Sequence, residues 1–328
     1  MFGFMNSGPG RARGLSSNDE TGRRGFLRSF GLGAAGVAAL GVSGAASSRA
    51  AERGQEPPPN IDVAILTFAL NLEYLEAEYY LRAAYGHGLS PEDIGPNPGE
   101  VTGGHKVAFD KPQIEAYARE LAREEQKHVQ FLRAALIAAT GTAISRPAID
   151  FHSSFPTLAV AAGLGSGFSP FRDSASFLLG SYVFEDVGVT AYHGAAPLLT
   201  DKGHLDKAAG ILAVEAYHAG MIRTVLFAEG KAHETELISN LRATLDGTAG
   251  TQNLDDYGVG TVARPTIVLA SNARNGNTIL GGYPSNSPPG NNAIAFDRTI
   301  RQVLNIVYGA QNASSGLFFP NGVNSAPV

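Results

Sequence analysis

Apolar positions recur every three or four residues in four long stretches of the chain, and breaks separate the stretches. Residues 60–85 carry Ile65, Leu66, Ala69, Leu72 and Ala83 at helical spacing. The Gly- and Pro-rich "GHGLSPEDIGPNPGEVTGG" then interrupts the pattern. A second helix is predicted from a cap at Asp110, with Pro112 in its first turn, to about Ala139. A third runs from Asp173 to about Ala196, ahead of Pro197, and a fourth from near Asp201 to Glu229, ahead of Gly230. Residues 141–172 read as a long connection between the second and third helices. Only a few residues join the third to the fourth, which makes those two antiparallel neighbours. From about Leu245 the texture changes to Gly, Asn, Thr and Pro. Within that tail only "TIVLA" resembles a strand, and a short helix is predicted in "AFDRTIRQVLNIVYG".

Charged residues interrupt the apolar faces at matching places. On the second helix Ile114, Ala118, Leu121, Glu125, His128, Leu132 and Ala135 share one face. Glu124, Lys127 and Gln130 point elsewhere and read as solvated. The fourth helix repeats the arrangement with Ala208, Ile211, Leu212, Glu215, His218, Ile222 and Leu226. A buried carboxylate is costly unless it is paired or bound to a metal. Two Glu-x-x-His pairs, one on each side of the long connection, therefore point to a metal site. The plainer alternative is a bundle whose polar residues bond only to one another. Cysteine is absent, so ligands must come from His, Asp and Glu.

The other two helices offer the remaining acids. On the third, Glu185 lies on the face of Phe177, Ser181, Gly188 and Tyr192, while Asp186 sits about 100° round the helix and reads as solvated. On the first, Glu73 and Glu76 share a face with Leu66, Ala69, Ala77 and Tyr80; Glu78 does not. Tyr192 follows Glu185 by seven residues, as Tyr80 follows Glu73. Aligning the halves favours Glu73 as the ligand and leaves Glu76 as an extra ligand or a proton-handling acid. Tyr80 and Tyr192 are core aromatics placed to hydrogen-bond a ligand. His193 lies roughly 12 Å along the helix from Glu185 and cannot reach the same metal. His87, His105, His152, His204 and His233 fall in loops or at helix ends and read as solvated.

This helix order and constellation resemble the ferritin-like superfamily, an all-α four-helix bundle with one long crossover. Within it the chain is most similar to the bacterial ferritin-like family that shares its domain with plant desiccation-related proteins. "LEYLEAEYY", "EEQKH", "FEDVGVTAYHGA" and "RTIRQVLNIVYG…GLFFPNGVN" carry the resemblance over about residues 60–325. It implies two iron or two manganese ions held by Glu73, Glu125, His128, Glu185, Glu215 and His218. Classical ferritins lack the second Glu-x-x-His histidine and the long tail, which argues against a storage cage. An enzyme reading makes the site a redox catalyst for peroxide or dioxygen in oxidative or drying stress, with Glu76, Tyr80 and Tyr192 assisting. A binding reading makes it a metal-sequestering or stress-protection module. A third has the tail, residues 248–292, mediating homo-oligomer or surface contacts.

Composition alters this picture little. The 328 residues are 44% hydrophobic and 17% charged, enough for a sizeable core, and a net charge of −5 gives no basic surface for nucleic acid. The first 50 residues change it more. "TGRRGFLRSF", the weakly apolar "GLGAAGVAALGVSGAA" and the small-residue run "SSRAA" read as a twin-arginine export signal cleaved after Ala50. The apolar run falls short of the roughly 20 residues of a spanning helix. The chain therefore divides into the signal (1–50), the bundle (51–240) and a Gly/Asn-rich extension ending in a short helix (241–328). The mature form, without a stable membrane span, is expected in the periplasm or at the cell surface. Replacing Arg23 and Arg24 by Lys should strand the precursor inside the cell; fractionation showing export equal to the parent would refute the signal.

Overall fold

The computed structural model describes residues 60–247, 256, 258–261, 264, 265 and 295–325. The twin-arginine stretch, "TIVLA" and most of the Gly/Asn-rich tail lie outside them. The described elements are α1 (Ile61–Tyr85), β1 (Val101–Thr102), α2 (Pro112–Thr140), β2 (Ile149–Asp150), α3 (Ser154–Ala162), α4 (Ser174–Ala195), α5 (Lys202–Ala228), α6 (Ala232–Asp246), β3 (Gly260–Thr261), β4 (Arg264–Pro265) and α7 (Ile300–Tyr308). The four long helices α1, α2, α4 and α5 are the all-α bundle that the periodicity predicts.

Local chemistry sets their ends. Asn60 caps α1 by accepting from the Asp62 amide, and Asp173 caps α4 by accepting from Ser176. Asp201 does the same for α5 with the amides of Gly203 and His204. Asp110 is not the cap of α2: Lys111 holds that position, and Asp110 instead accepts from the Ser174 amide at 3.1 Å. It thereby joins the start of α2 to the start of α4. Gly86 and Gly141 end α1 and α2 in the left-handed conformation that side chains disfavour.

The helices pack as two pairs, α1 with α2 and α4 with α5, and α1 and α4 meet across the centre. The crossover is more structured than its composition implies. β2 pairs in parallel with β1, Val101 opposite Ile149, and α3 follows. Helix α6, which the sequence reading did not anticipate, runs across position 240 and packs on α3, α4 and α7.

These additions explain two departures from the face-by-face reading. Helices α1 and α4 are apolar all round and are covered on nearly every side, as such helices must be. Glu78 on the far side of α1 is fully buried and pairs with Arg82 and Arg146. Asp186, expected in solvent, is also fully buried. It accepts from Arg223 and Arg242, both at 2.8 Å. Arg242 also grips Asp256 through Nε and Nη2 at 2.9 and 2.7 Å, and its guanidinium lies 4.6 Å from the centre of the Tyr182 ring. Arg298, just before α7, completes the group with Asp256 at 2.7 Å, Asp246 at 2.9 Å and Thr190 at 3.0 Å. Burial opposes ionisation of Asp256, but Arg242 and Arg298 outweigh it and hold its pKa below the usual range.

Three guanidinium groups thus face three carboxylates beneath α6 and tie the extension to α4. Removing one partner from a buried ion pair costs about 3–5 kcal/mol because the opposing charge is left uncompensated. Arg242→Met is expected to lose stability on that scale in urea unfolding. A loss under about 1 kcal/mol would show that the network is not what holds α6 and the extension down.

Candidate metal centre

Each bundle helix delivers its acid to one level of the axis. Glu73 is 1% exposed, Glu76 5% and His128 8%; Glu125, Glu185, Glu215 and His218 are fully enclosed. Ligand-capable atoms converge in two groups, Glu73–Glu125–His128–Glu215 and Glu125–Glu185–His218, each within 4.8 Å of one another. Glu125 belongs to both: Oε2 lies 3.1 Å from Nδ1 of His128, and Oε1 lies 3.1 Å from Nδ1 of His218. His128 Nδ1 also lies 3.2 Å from Glu73 and 3.6 Å from Glu215, and His218 Nδ1 lies 3.3 Å from Glu185. The two imidazole centres are 6.5 Å apart. All six residues predicted as ligands therefore meet, and Glu76 lies in neither group.

The tyrosines cross between halves. Tyr80 of α1 donates to Glu185 of α4, and Tyr192 of α4 donates to Glu73 of α1. Each bond occupies one carboxylate oxygen and leaves the other facing the axis. Gly188 makes room for Glu215, since a Cβ there would lie 2.2 Å from its Oε2. The sequence reading placed Gly188 on the correct face but gave it no part in the site.

Glu124 was missed outright. Read as solvated, it is half-exposed yet accepts from His218 Nε2 at 2.7 Å. His204 is also less solvated than expected: it is half-buried, with Nδ1 3.0 Å from Asp62. His193 is half-buried on α4 and joins neither group.

The electrostatics follow from stacking carboxylates out of water. Burial raises the pKa of Glu76 well above the usual range, and the carboxylates of Glu125, Glu185 and Glu73 push it further. Glu215 is raised for the same reasons, Glu185 by burial against the pull of His218, and Glu73 by burial to about 7. Glu125 moves the other way: burial opposes ionisation, but the two flanking imidazoles prevail. Burial disfavours charge on His128 and His218, yet the surrounding carboxylates hold both well above the ordinary histidine range. Both sets of shifts have one cause, negative charge stacked out of water. Glu73 Oε2, Glu125 Oε1, Glu185 Oε2, both oxygens of Glu215 and His218 Nδ1 have no hydrogen-bond partner. Buried polar atoms are rarely left so, and these six, of eleven such atoms among the described residues, all belong to the two converging groups. Carboxylates and imidazoles are the donors that iron and manganese take.

A family model described as a ferritin-like domain matches residues 61–229, the span from α1 to the end of α5. The chain belongs to the ferritin-like domain family. Over 286 residues it is 32% identical to a protein of Nesocodon mauritianus named ferritin-like catalase Nec2, covering 80% of this chain and 83% of that one. It is 31% identical over 280 residues to the desiccation-related protein PCC13-62 of Craterostigma plantagineum, covering 80% and 82%. No solved structure matches significantly. Within this ferritin-like domain the buried Glu and His groups could hold metal ions.

Folded protein should carry about two metals per chain by elemental analysis. His128→Ala or Glu215→Ala should lower that content sharply, and chelation should lower the melting temperature of the parent. A metal-free parent whose melting is indifferent to chelator would rule out metal binding here.

Proposed function

We propose that this is an exported ferritin-like protein whose dinuclear iron or manganese site disproportionates hydrogen peroxide, protecting against oxidative or desiccation stress outside the cytoplasm. The observation that carries the proposal is the set of partnerless, axis-facing oxygens and nitrogen, divided into two groups that share Glu125. Peroxide is preferred to dioxygen as substrate because a relative matching four-fifths of the chain is named a catalase.

Glu73, His128, Glu125 and Glu215 would hold one metal, and Glu185, His218 and Glu125 the other. Bound there, a pair of redox-active metals supplies storage for the two electrons that pass between one peroxide and the next. The chain supplies the rest. Two divalent cations balance four ionised carboxylates, so the fifth, Glu76, keeps its proton and can lend it to a departing oxygen. Tyr80 and Tyr192 hold Glu185 and Glu73 in place through their hydroxyls. Burial keeps both phenols protonated at any physiological pH. Tyr192 also lines an apolar cavity of about 30 Å³ with Leu72, Leu132 and Ile211. That space exceeds the roughly 10–15 Å³ that one water-sized molecule needs.

A second reading is a metal-binding stress-protection module without turnover, favoured by the similarity to a desiccation-related protein. Stopped-flow and oxygen-electrode measurements on iron- and manganese-loaded protein separate the two. Catalase activity should appear as repeated peroxide consumption with half an equivalent of dioxygen released. It should vanish in His128→Ala and fall in Glu76→Gln with metal content retained. A loaded site inert to both peroxide and dioxygen would establish the binding module instead.

A further inference from the structure

We propose that Glu124 is the positioning residue of His218 and that it makes the two metal positions unequal. The inference rests on the dinuclear reading above.

His218 uses both ring nitrogens. Nδ1 points to Glu125 and Glu185 at 3.1 and 3.3 Å, and Nε2 lies 2.7 Å from Glu124 Oε2. A proton donated from Nε2 to that carboxylate leaves the lone pair on Nδ1, facing the partnerless oxygens. A carboxylate behind an imidazole also makes it a stronger donor toward a metal. The ring is fully buried, while the Glu124 side chain is 40% exposed. One residue therefore fixes an enclosed ligand from the protein surface.

His128 has no such arrangement. Its Nδ1 faces Glu73, Glu125 and Glu215, but among the described residues none accepts a hydrogen bond from its Nε2. The sequence gives the reason. In the alignment of the halves that matches Glu125 with Glu215 and His128 with His218, Glu124 falls opposite Val214, which has no acceptor to offer. One ring is locked in tautomer and orientation, and its counterpart is not. The position built on Glu185 and His218 accordingly depends on Glu124, and the one built on Glu73 and His128 does not.

Equilibrium titration of the folded, exported protein with Mn²⁺, followed by electron paramagnetic resonance, tests this directly. The parent should bind two Mn²⁺ in two resolved steps. Glu124→Ala should weaken one step about 10–100-fold, the range for removing such an outer partner, and leave the other within about twofold. In a His218→Ala background, Glu124→Ala should add nothing, since the pair acts as one unit. Glu124→Gln keeps an acceptor without charge and should give an intermediate loss in the same step. It also serves if the alanine variant fails to fold. Tyr217→Phe is the control, because Tyr217 bridges the same two helices through Glu120 at 2.8 Å and does not hold the imidazole. It should leave both steps unchanged. Equal weakening of both steps, or none, in both Glu124 variants would overturn the inference. A parent that binds fewer than two Mn²⁺ would instead overturn the dinuclear reading on which it stands.

Discussion

Enclosing five carboxylates at one level of a helical bundle is the constraint from which most of this structure follows. A carboxylate taken out of water must be neutralised or surrounded by donors, and the four bundle helices offer almost no donors there. The two imidazoles and the two tyrosine hydroxyls serve only part of the demand, and six ligand-capable atoms of the converging groups remain without a hydrogen-bond partner. Such an arrangement is retained only if something cationic occupies it or if protons do. Tyr80 and Tyr192 reach across the axis, so the two halves hold each other's acids in place. Neither half carries a complete site alone.

The same chain buries a second set of charges in the opposite manner. Beneath α6, Arg223, Arg242 and Arg298 face Asp186, Asp246 and Asp256, and opposite charges meet at 2.7–2.9 Å. That cluster balances itself and has no use for an ion. It ties the extension to α4, whose adjacent face, about 100° round the helix, delivers Glu185 to the centre. Asp186 and Glu185 are neighbours in sequence, yet one meets guanidinium groups and the other meets acids and an imidazole. A single helix thus connects a self-neutralised cluster to one that is not. Rigidity at the first restrains the backbone that positions the second.

Much of this was legible in the sequence because bundle helices announce their faces. The spacing of Glu125 with His128 and of Glu215 with His218, set in apolar stripes, brought those four together, and aligning the halves added Glu185 and Glu73. What escaped had a common cause. Periodicity identifies one buried face, and α1 and α4 are buried on nearly all of theirs, so Glu78 was left off that face and Asp186 was assigned to solvent, although both are fully buried. Helix α6 and the ordered crossover supply the covering, and neither has the long apolar period that marks the bundle. Glu124 escaped for a different reason. A half-exposed acid on the outer side of a helix looks like any solvated charge, and only the imidazole reaching it from α5 distinguishes it.

The two halves are near-repeats in their ligands and differ in what stands behind them. The two groups already differ in size, with four ligand-capable residues around Glu73 and three around Glu185. An acceptor stands behind His218 and Val214 occupies the matching position behind His128, so the rings are held differently without any change of residue type among the ligand-capable groups. The less constrained ring belongs to the same group as Glu73, which Tyr192 holds from the wall of the apolar cavity. The group around Glu73 therefore adjoins that cavity through Tyr192, while the group around Glu185 is the one held from Glu124. Pseudo-symmetry supplies the paired acids and imidazoles, and one substitution between the halves makes their surroundings unequal.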